Sequence, residues 1–375
     1  VGPEKEELFL SRVDNRRGMG IRFIGHKKRL LPGILDVIDN TVDDDVTHIA
    51  DLFAGTGAVS AGLKSKGYHV IANDILTHCC VLTRAQLLNS QPPSFDKLLD
   101  SYPEITEVTN TFVVQTDYSH VLSYLNSLDG TEGFFYKHYA PGGTQSRDEP
   151  RQYFTDENAQ RIDAIRATIK QWNNDGLLSE AEHSLLLYDL IRATNEIANT
   201  AGTYGAYLKE WYERAREPIK LTPAEIPSGP TDHEIHQRDA NELAEEISPD
   251  AVYLDPPYTK RQYASYYHIP ETIAEEDEPD LSGKTGLRPW EEKSSDYCHK
   301  KRAPDQLHDL LSRLNTRYIF LSYSTEGHIS PDTIEDILSE IGSFELHEFD
   351  HPRYKSNDGA KGGDLTECLY AIQPK

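Results

Sequence analysis

The sequence predicts an α/β fold, a doubly wound sheet interrupted by a mainly helical module. Three observations carry this prediction. An apolar run over 46–50, continued by Leu52 and Phe53, enters Gly55-Thr56-Gly57 and then a helix-patterned stretch over 58–66. A second apolar run over 68–72 ends on Asn73-Asp74. Strand, glycine turn, helix, strand and acid together form the βαβ unit of a doubly wound sheet. The stretch over 91–230 carries helix patterning and caps instead, and strand-like runs return only beyond it.

Taken in order, Gly67 stops the first helix and a second spans about 77–88. In the middle, the aromatic run Phe134-Phe135-Tyr136-Lys137-His138-Tyr139 precedes a loop at Pro141-Gly142-Gly143. Thr155 N-caps a helix to about Trp172, and Gly176 separates it from the next. Ser179-Glu180-Ala181-Glu182 is a capping box opening a helix to about Asn199. A third helical stretch is expected from about Tyr204 to Arg216, before a linker marked by Pro218, Pro223, Pro227 and Pro230. The sheet resumes at 235–239. A helix over 240–246 leads to a strand at 251–254. A buried strand follows at 318–323, then a helix capped by Ser330 and Asp332, and closing strands at 344–349 and 367–372. The expected division is one domain of 1–90 plus 231–375 and an inserted helical domain of 91–230.

With 375 residues, 37% hydrophobic and 27% charged, the chain suits a soluble globular protein with a sizeable core. No apolar run reaches the roughly 18 residues of a spanning helix, so no membrane partner is expected. No leader pattern opens the sequence, and Val1-Gly2-Pro3 resembles a cloning scar. Cys79, Cys80, Cys298 and Cys368 include no C-x-x-C pair, which predicts reduced thiols, a cytoplasmic protein and no zinc or other metal.

The net charge of −24 is unusual for a protein that grips phosphates. It fits either a protein with no nucleic-acid partner or one adapted to high salt that keeps local basic patches. The distribution favours patches. Seven Lys/Arg and one acid lie between Arg12 and Arg29, and a second basic stretch runs from Lys284 to Lys300-Lys301-Arg302. A salt-adapted enzyme should work above roughly molar salt, where the Debye length is about 3 Å.

The segment Asp51-Leu52-Phe53-Ala54-Gly55-Thr56-Gly57 lets the backbone pass close to a ligand at the carboxyl end of the first strand. Asp74, at the end of the second strand, can accept from both hydroxyls of a ribose. This pattern alone fits a nicotinamide nucleotide nearly as well as S-adenosylmethionine. Ser60 replaces the third glycine of the dinucleotide fingerprint. Asp51 suits a positively charged amino-acid end and would repel a pyrophosphate.

Tyr253-Leu254-Asp255-Pro256-Pro257-Tyr258 carries amine chemistry. The lone pair of an exocyclic amine is delocalised into its ring, so the amine is a poor nucleophile. A carboxylate and a backbone carbonyl that both accept from the NH2 group draw the nitrogen towards sp3. Prolines present that carbonyl rigidly and bring no competing N–H. An aromatic stacked on a base contributes about 1–3 kcal/mol, which offsets part of the few kcal/mol, roughly, lost on extruding the base from a duplex. No cysteine nucleophile and no metal are required.

With these segments the chain resembles the class α, Dam-like adenine-N6 DNA methyltransferases, and among them the methylase halves of FokI-type restriction-modification systems. The resemblance covers nearly the whole chain. Phe23-Ile24-Gly25-His26-Lys27-Lys28-Arg29-Leu30-Leu31-Pro32 is similar to the family's N-terminal motif, which implies that Phe23 lies against the cofactor and Lys27 contacts the site. The Asp51–Gly57 turn and Asn73-Asp74 match the next two motifs. Gln237-Arg238-Asp239-Ala240 is similar to the segment ahead of the catalytic motif, which implies a cofactor contact for Asp239. It differs at Arg238, where a glycine is common. Leu321-Ser322-Tyr323 and Arg353-Tyr354-Lys355-Ser356 resemble later segments.

The order of parts (cofactor motif, helical insertion, D-P-P-Y) is the class α arrangement. It implies a Rossmann-like class I methyltransferase sheet, an inserted target-recognition domain, S-adenosyl-L-methionine as cofactor and double-stranded DNA as substrate. A cognate restriction endonuclease is left open as a partner. Asp255, Pro256, Pro257 and Tyr258 would be catalytic. Phe23, Lys27, Asp51, Phe53, Gly55, Thr56, Gly57, Asp74 and Asp239 would hold the cofactor. Tyr204 and Lys209, in a small-residue segment of the insertion, would approach DNA. Lys260, Arg261 and Tyr263 after the catalytic motif, with Lys300, Lys301 and Arg302, would do the same. Tyr266, Tyr267 and His268 extend that aromatic-basic loop, or are simply packed. Cytosine-N4 methylation needs the same acceptors and stays open on the motif alone. Cytosine carbon-5 chemistry is disfavoured because no Pro-Cys pair is present. A catalytically idle DNA-binding module is disfavoured because the cofactor and catalytic segments are both intact, and a nicotinamide-dependent oxidoreductase would leave D-P-P-Y and the basic patches unexplained.

Overall fold

The computed structural model describes residue 27 and residues 29–351 and 365–375. Among these, Gln91–Ile226 and Ser265–Pro289 form one compact unit. The residues up to Ser90, with Pro227–Ala264 and Trp290–Lys375, form the other.

The second unit is built on one sheet. Among the described residues its strands are β1 (His48–Asp51), β2 (His69–Asn73), β3 (Glu234–His236), β4 (Ala251–Leu254), β5 (Tyr318–Ser324), β6 (Gly342–His351) and β7 (Leu365–Pro374), in the order β3-β2-β1-β4-β5-β7-β6. The first five pair in parallel. β7 runs antiparallel between β5 and β6. β4 and β5 are buried along their whole length, as expected of parallel strands covered on both faces. Successive residues alternate between two cores. Val252, Leu254, Ile319 and Leu321 join the first, which includes residues of the helices Ala240–Ala244, Ala303–Arg313 and Pro331–Ile341. Ala251, Tyr253, Tyr318 and Phe320 join the second, which includes residues of Leu31–Thr41 and Ala58–Lys66.

Helix Leu31–Thr41 carries Pro32 in its first turn and buries Leu31, Ile34, Leu35 and Ile38, one apolar stripe at helical spacing. Burying each such side chain contributes about 1.5–3 kcal/mol. A Cβ on Gly62 would lie 2.9 Å from Leu35 Cδ1, so the two helices meet where no side chain fits. The direction of β7 decides which of its residues reach the carboxyl end of the parallel strands. Because it is antiparallel, its early residue Glu367 pairs with Ser324 at the carboxyl end of β5, while Ile372 pairs with Ile319 near the start.

The helical unit follows the cap signals of the sequence. Thr155 accepts from the Asn158 N–H at the start of Asp156–Asn174. Ser179 and Glu182 form the reciprocal capping box of Glu180–Ile197. The aromatic run is itself a helix, Phe134–Tyr139, and the Asp163 carboxylate accepts from its Phe135 and Tyr136 N–H groups.

Two features differ from the sequence-based expectation. The helix expected from Tyr204 to Arg216 is reduced to Glu213–Arg216. The preceding backbone is bound from elsewhere: the Asn199 carbonyl accepts from Leu208 N–H, and the Asn199 side chain donates to the Gln152 and Leu208 carbonyls and accepts from Tyr212 N–H. Tyr204 N–H donates to the Tyr266 carbonyl. With its groups taken by distant partners, the segment has no reason to coil. The second difference is that Ser265–Pro289 clusters with the helical unit. Arg151 donates to the Gly283 and Lys284 carbonyls, Tyr139 OH donates to the Gly286 carbonyl, and His268 Nε2 lies 3.0 Å from the Tyr204 carbonyl.

Candidate active site

The turn after β1 is held by carboxylates. Asp51 ends β1, is 1% exposed, and accepts from Ser60 Oγ at 2.6 Å. Burial pushes its carboxyl up to about 7; the Ser60 bond opposes this, and Asp255 and Asp74 add to it. Asp51 Oδ1 is buried with no hydrogen-bond partner among the described residues. Asp74 Oδ2 accepts from Gly55 N–H and Oδ1 from Leu76 N–H, each at 2.9 Å, so it closes its own turn and the glycine turn together. Gly57 adopts φ +76°, and a Cβ there would lie 2.7 Å from Gln86 Nε2, which donates to the Thr56 carbonyl. Phe53 is half-buried, edge-on to Tyr297 at 5.3 Å. Asp239 Oδ1 accepts from Asn241 and Glu242 N–H and thereby caps the helix after β3.

Asp255 follows β4 directly. Lys27 Nζ lies 2.8 Å from Asp255 Oδ1 and 3.3 Å from Glu367 Oε1. The same nitrogen is 5.4 Å from the centroid of the Tyr258 ring, and Tyr258 OH lies 3.5 Å from Glu367 Oε1. Burial pushes Asp255 up to about 6; Lys27 opposes the shift and Glu367 adds to it. Burial alone would lower Lys27, yet Asp255 and Glu367 beside it hold it well above the ordinary lysine value. The Tyr258 carbonyl accepts from His328 N–H at 2.9 Å, and its ring meets Tyr323 edge-on at 5.8 Å. The Pro256 carbonyl carries no hydrogen bond among the described residues.

The structure thus brings Lys27, Asp255 and Tyr258 together, and Asp51 and Asp74 close enough to bear on one another's charge. Phe23 and the segment Arg353–Ser356 lie outside the described residues. Lys209, Lys260, Arg261, Lys300 and Lys301 are exposed; Arg302 is exposed and bonded to Asp296 at 2.8 Å; Tyr263 is half-buried. Tyr204 corrects the sequence reading. It is 1% exposed, and its hydroxyl meets Asn195 Nδ2, so its ring is core and is not presented to a groove. Tyr267 and His268 are likewise buried, and burial drives the His268 imidazole down to about 4, which keeps it neutral.

The sequence does not mark two residues of the site. Ser60 shows there only as a missing glycine. Glu367 falls in an expected strand, where a charge at the same parity as buried Leu369 and Ala371 is the signal that sets it apart. Among the described residues no cluster of three or more His, Cys, Asp or Glu side chains could hold a metal ion, and no helix is long and apolar enough to cross a membrane.

The family described as D12 class N6 adenine-specific DNA methyltransferase matches residues 23–337. The type II methyltransferase M.FokI of Planomicrobium okeanokoites is 38% identical over 360 residues, covering 94% of this chain and 52% of that protein. The modification methylase StsI of Streptococcus sanguinis is 36% identical, covering 95% and 52%. The type II methyltransferase M.NlaIII of Neisseria lactamica is 34% identical, covering 94% of this chain and 99% of that protein. The chain spans about half the length of the first two and nearly all of the third.

Proposed function

Since the chain belongs to the D12 class N6 adenine-specific DNA methyltransferase family, we propose that it moves the methyl group of S-adenosylmethionine to N6 of an adenine flipped out of duplex DNA. The observation that carries this reading is the buried Lys27–Asp255 pair at the end of β4, with the Tyr258 ring beside it.

The residues after β1 fit the cofactor. Asp51 offers a buried oxygen with no hydrogen-bond partner among the described residues, which suits a ligand's ammonium group. Asp74, which accepts from Gly55 and Leu76 N–H at the end of β2, would accept from a ribose hydroxyl. Phe53, Gly55, Thr56 and Gly57 would line the rest, with Phe23 against the cofactor; Asp239 would act on it through the start of the helix that it caps. S-adenosylmethionine, when bound, supplies a methyl carbon made electrophilic by its sulfonium.

The D-P-P-Y residues act on the amine. Asp255 accepts from one hydrogen of the NH2 group and the Pro256 carbonyl from the other, and Pro257 keeps the segment rigid. The nitrogen lone pair then turns out of conjugation. Lys27 favours the charged form of Asp255 at neutral pH. As the amine gains a methyl it sheds a proton, and Asp255 is the adjoining acceptor. Tyr258 stacks on the extruded base.

The helical unit serves as the target-recognition domain, with Lys209 at its exposed surface. Lys260, Arg261, Tyr263, Lys300, Lys301 and Arg302 meet the phosphate backbone. The protein acts in the cytoplasm, and a cognate restriction endonuclease is its expected partner, as the restriction-modification setting of the relatives suggests.

The test is Asp255→Ala. The variant should lose transfer of labelled methyl to DNA while calorimetry still registers S-adenosylmethionine binding. Full activity in that variant would sink the mechanism. Hydrolysed product DNA should contain N6-methyladenine, and N4-methylcytosine in its place would overturn the choice of base.

A further inference from the structure

We propose that Glu367 is a positioning residue of the methyl-transfer site, sharing Lys27 with Asp255 and accepting from the Tyr258 hydroxyl. It thereby fixes the carboxylate and the aromatic of D-P-P-Y together. The proposal rests on the adenine-N6 reading of the site.

Three contacts carry it. Glu367 Oε1 is 3.3 Å from Lys27 Nζ and 3.5 Å from Tyr258 OH, and Lys27 in turn is 2.8 Å from Asp255. The Lys27 and Glu367 side chains are 4% and 7% exposed. A lysine with one carboxylate would make a neutral pair; a second carboxylate leaves the cluster with an excess negative charge. Burying that second charge is costly and is weak evidence for a stabilising role. Its strand position is one that an apolar residue would fill, beside Leu369 and Ala371.

The geometry gives Glu367 two tasks. A lysine held by Asp255 alone is free to pivot onto both carboxylate oxygens and compete with the substrate amine for them. Glu367 pulls on the same ammonium group from a second direction and limits that pivot. Through the Tyr258 hydroxyl it also sets the tilt of the ring that must lie flat on the base. The antiparallel course of β7 makes this possible, because it places Glu367 beside Ser324 at the sheet end where D-P-P-Y emerges.

Glu367→Gln keeps size and an acceptor and removes the charge. The purified chain should keep its melting temperature and its affinity for S-adenosylmethionine. Its kcat should fall about 10- to 100-fold, the rate equivalent of a charged hydrogen bond. The acid limb of kcat should also move to lower pH. Asp255 is faced by Lys27, Glu367, Tyr258, Tyr253 and Asp51, and Glu367 is among those that disfavour its ionisation. A purely structural role would lower stability and leave that limb in place.

Tyr258→Phe combined with Glu367→Gln should cost less than the sum of the single changes, since the first removes and the second weakens the same hydroxyl–carboxylate contact. Should the Gln variant fail to fold, Glu367→Asp carries the test. It keeps the charge at shorter reach, so kcat should fall while the acid limb stays. Wild-type kcat and limb in either variant overturns the proposal. Absence of methyl transfer in the unaltered protein instead overturns the functional reading beneath it.

Discussion

Lys27 Nζ lies 2.8 Å from Asp255 Oδ1, and with side chains 4% and 17% exposed the two groups have little water to replace each other. The strongest residue of the proposed machinery is therefore also its point of dependence: each charge is tolerable because the other is there.

Lys27→Met removes that support from Asp255 and Glu367 together. Breaking a buried pair costs about 3–5 kcal/mol. Without the lysine that opposes the shift, the Asp255 carboxyl, already pushed up to about 6 by burial, should titrate still further above its unfolded value. The fold then binds more protons than the unfolded chain, so stability is recovered as pH falls. The melting deficit against wild type should be large at pH 8 and smaller at pH 5.5, and an equal deficit at both would contradict the burial argument.

The pH dependence of the reaction should report Asp255. Its carboxyl is pushed up to about 6 by burial, and it must be ionised to accept from the amine. Single-turnover transfer should rise with pH, reach half its maximum near pH 6, and level off above 7. An acid limb near the ordinary carboxylate range would show that a different group governs the step.

Gly57→Ala tests the glycine turn. A left-handed φ of +76° costs a non-glycine residue about 1–2 kcal/mol. The added Cβ would also displace Gln86, which anchors the Thr56 carbonyl. Calorimetry should find weaker S-adenosylmethionine binding with DNA affinity retained. Unchanged cofactor affinity would remove this turn from the binding site.

Asn199→Ala should act on the helical unit alone. It deletes the side-chain bonds to the Gln152 and Leu208 carbonyls and to Tyr212 N–H that hold the loop before Glu213–Arg216. DNA binding should weaken and cofactor affinity should stay. If the variant bound and methylated DNA as wild type does, that loop would have no part in recognition.

What the sequence made legible was local. The strand–turn–helix around Gly55 and Gly57 and the Ser179–Glu182 capping box depend on neighbours within a few positions. The helix expected from Tyr204 failed because its tyrosines fit a helical pattern while Asn199 and Tyr266 take the backbone groups. The allegiance of Ser265–Pro289 was invisible because it is set by Arg151 and Tyr139, more than a hundred positions away. Aromatic character marked Tyr204 as useful without revealing that it is buried. Glu367 showed only as a charge on an apolar face, since its partner Lys27 stands 340 positions away.

β7 follows β6 in the chain but lies between β5 and β6 in the sheet. While the protein is being synthesised, β5 must therefore wait with an open, apolar edge until the strand that covers it has been made. Such an edge is a template for foreign strands, and exposed edges of this kind make partly folded chains prone to aggregate. Expression should be most vulnerable to ribosome stalling in the interval between β6 and β7, and a chaperone that shields β5 during that interval should raise the yield of folded protein.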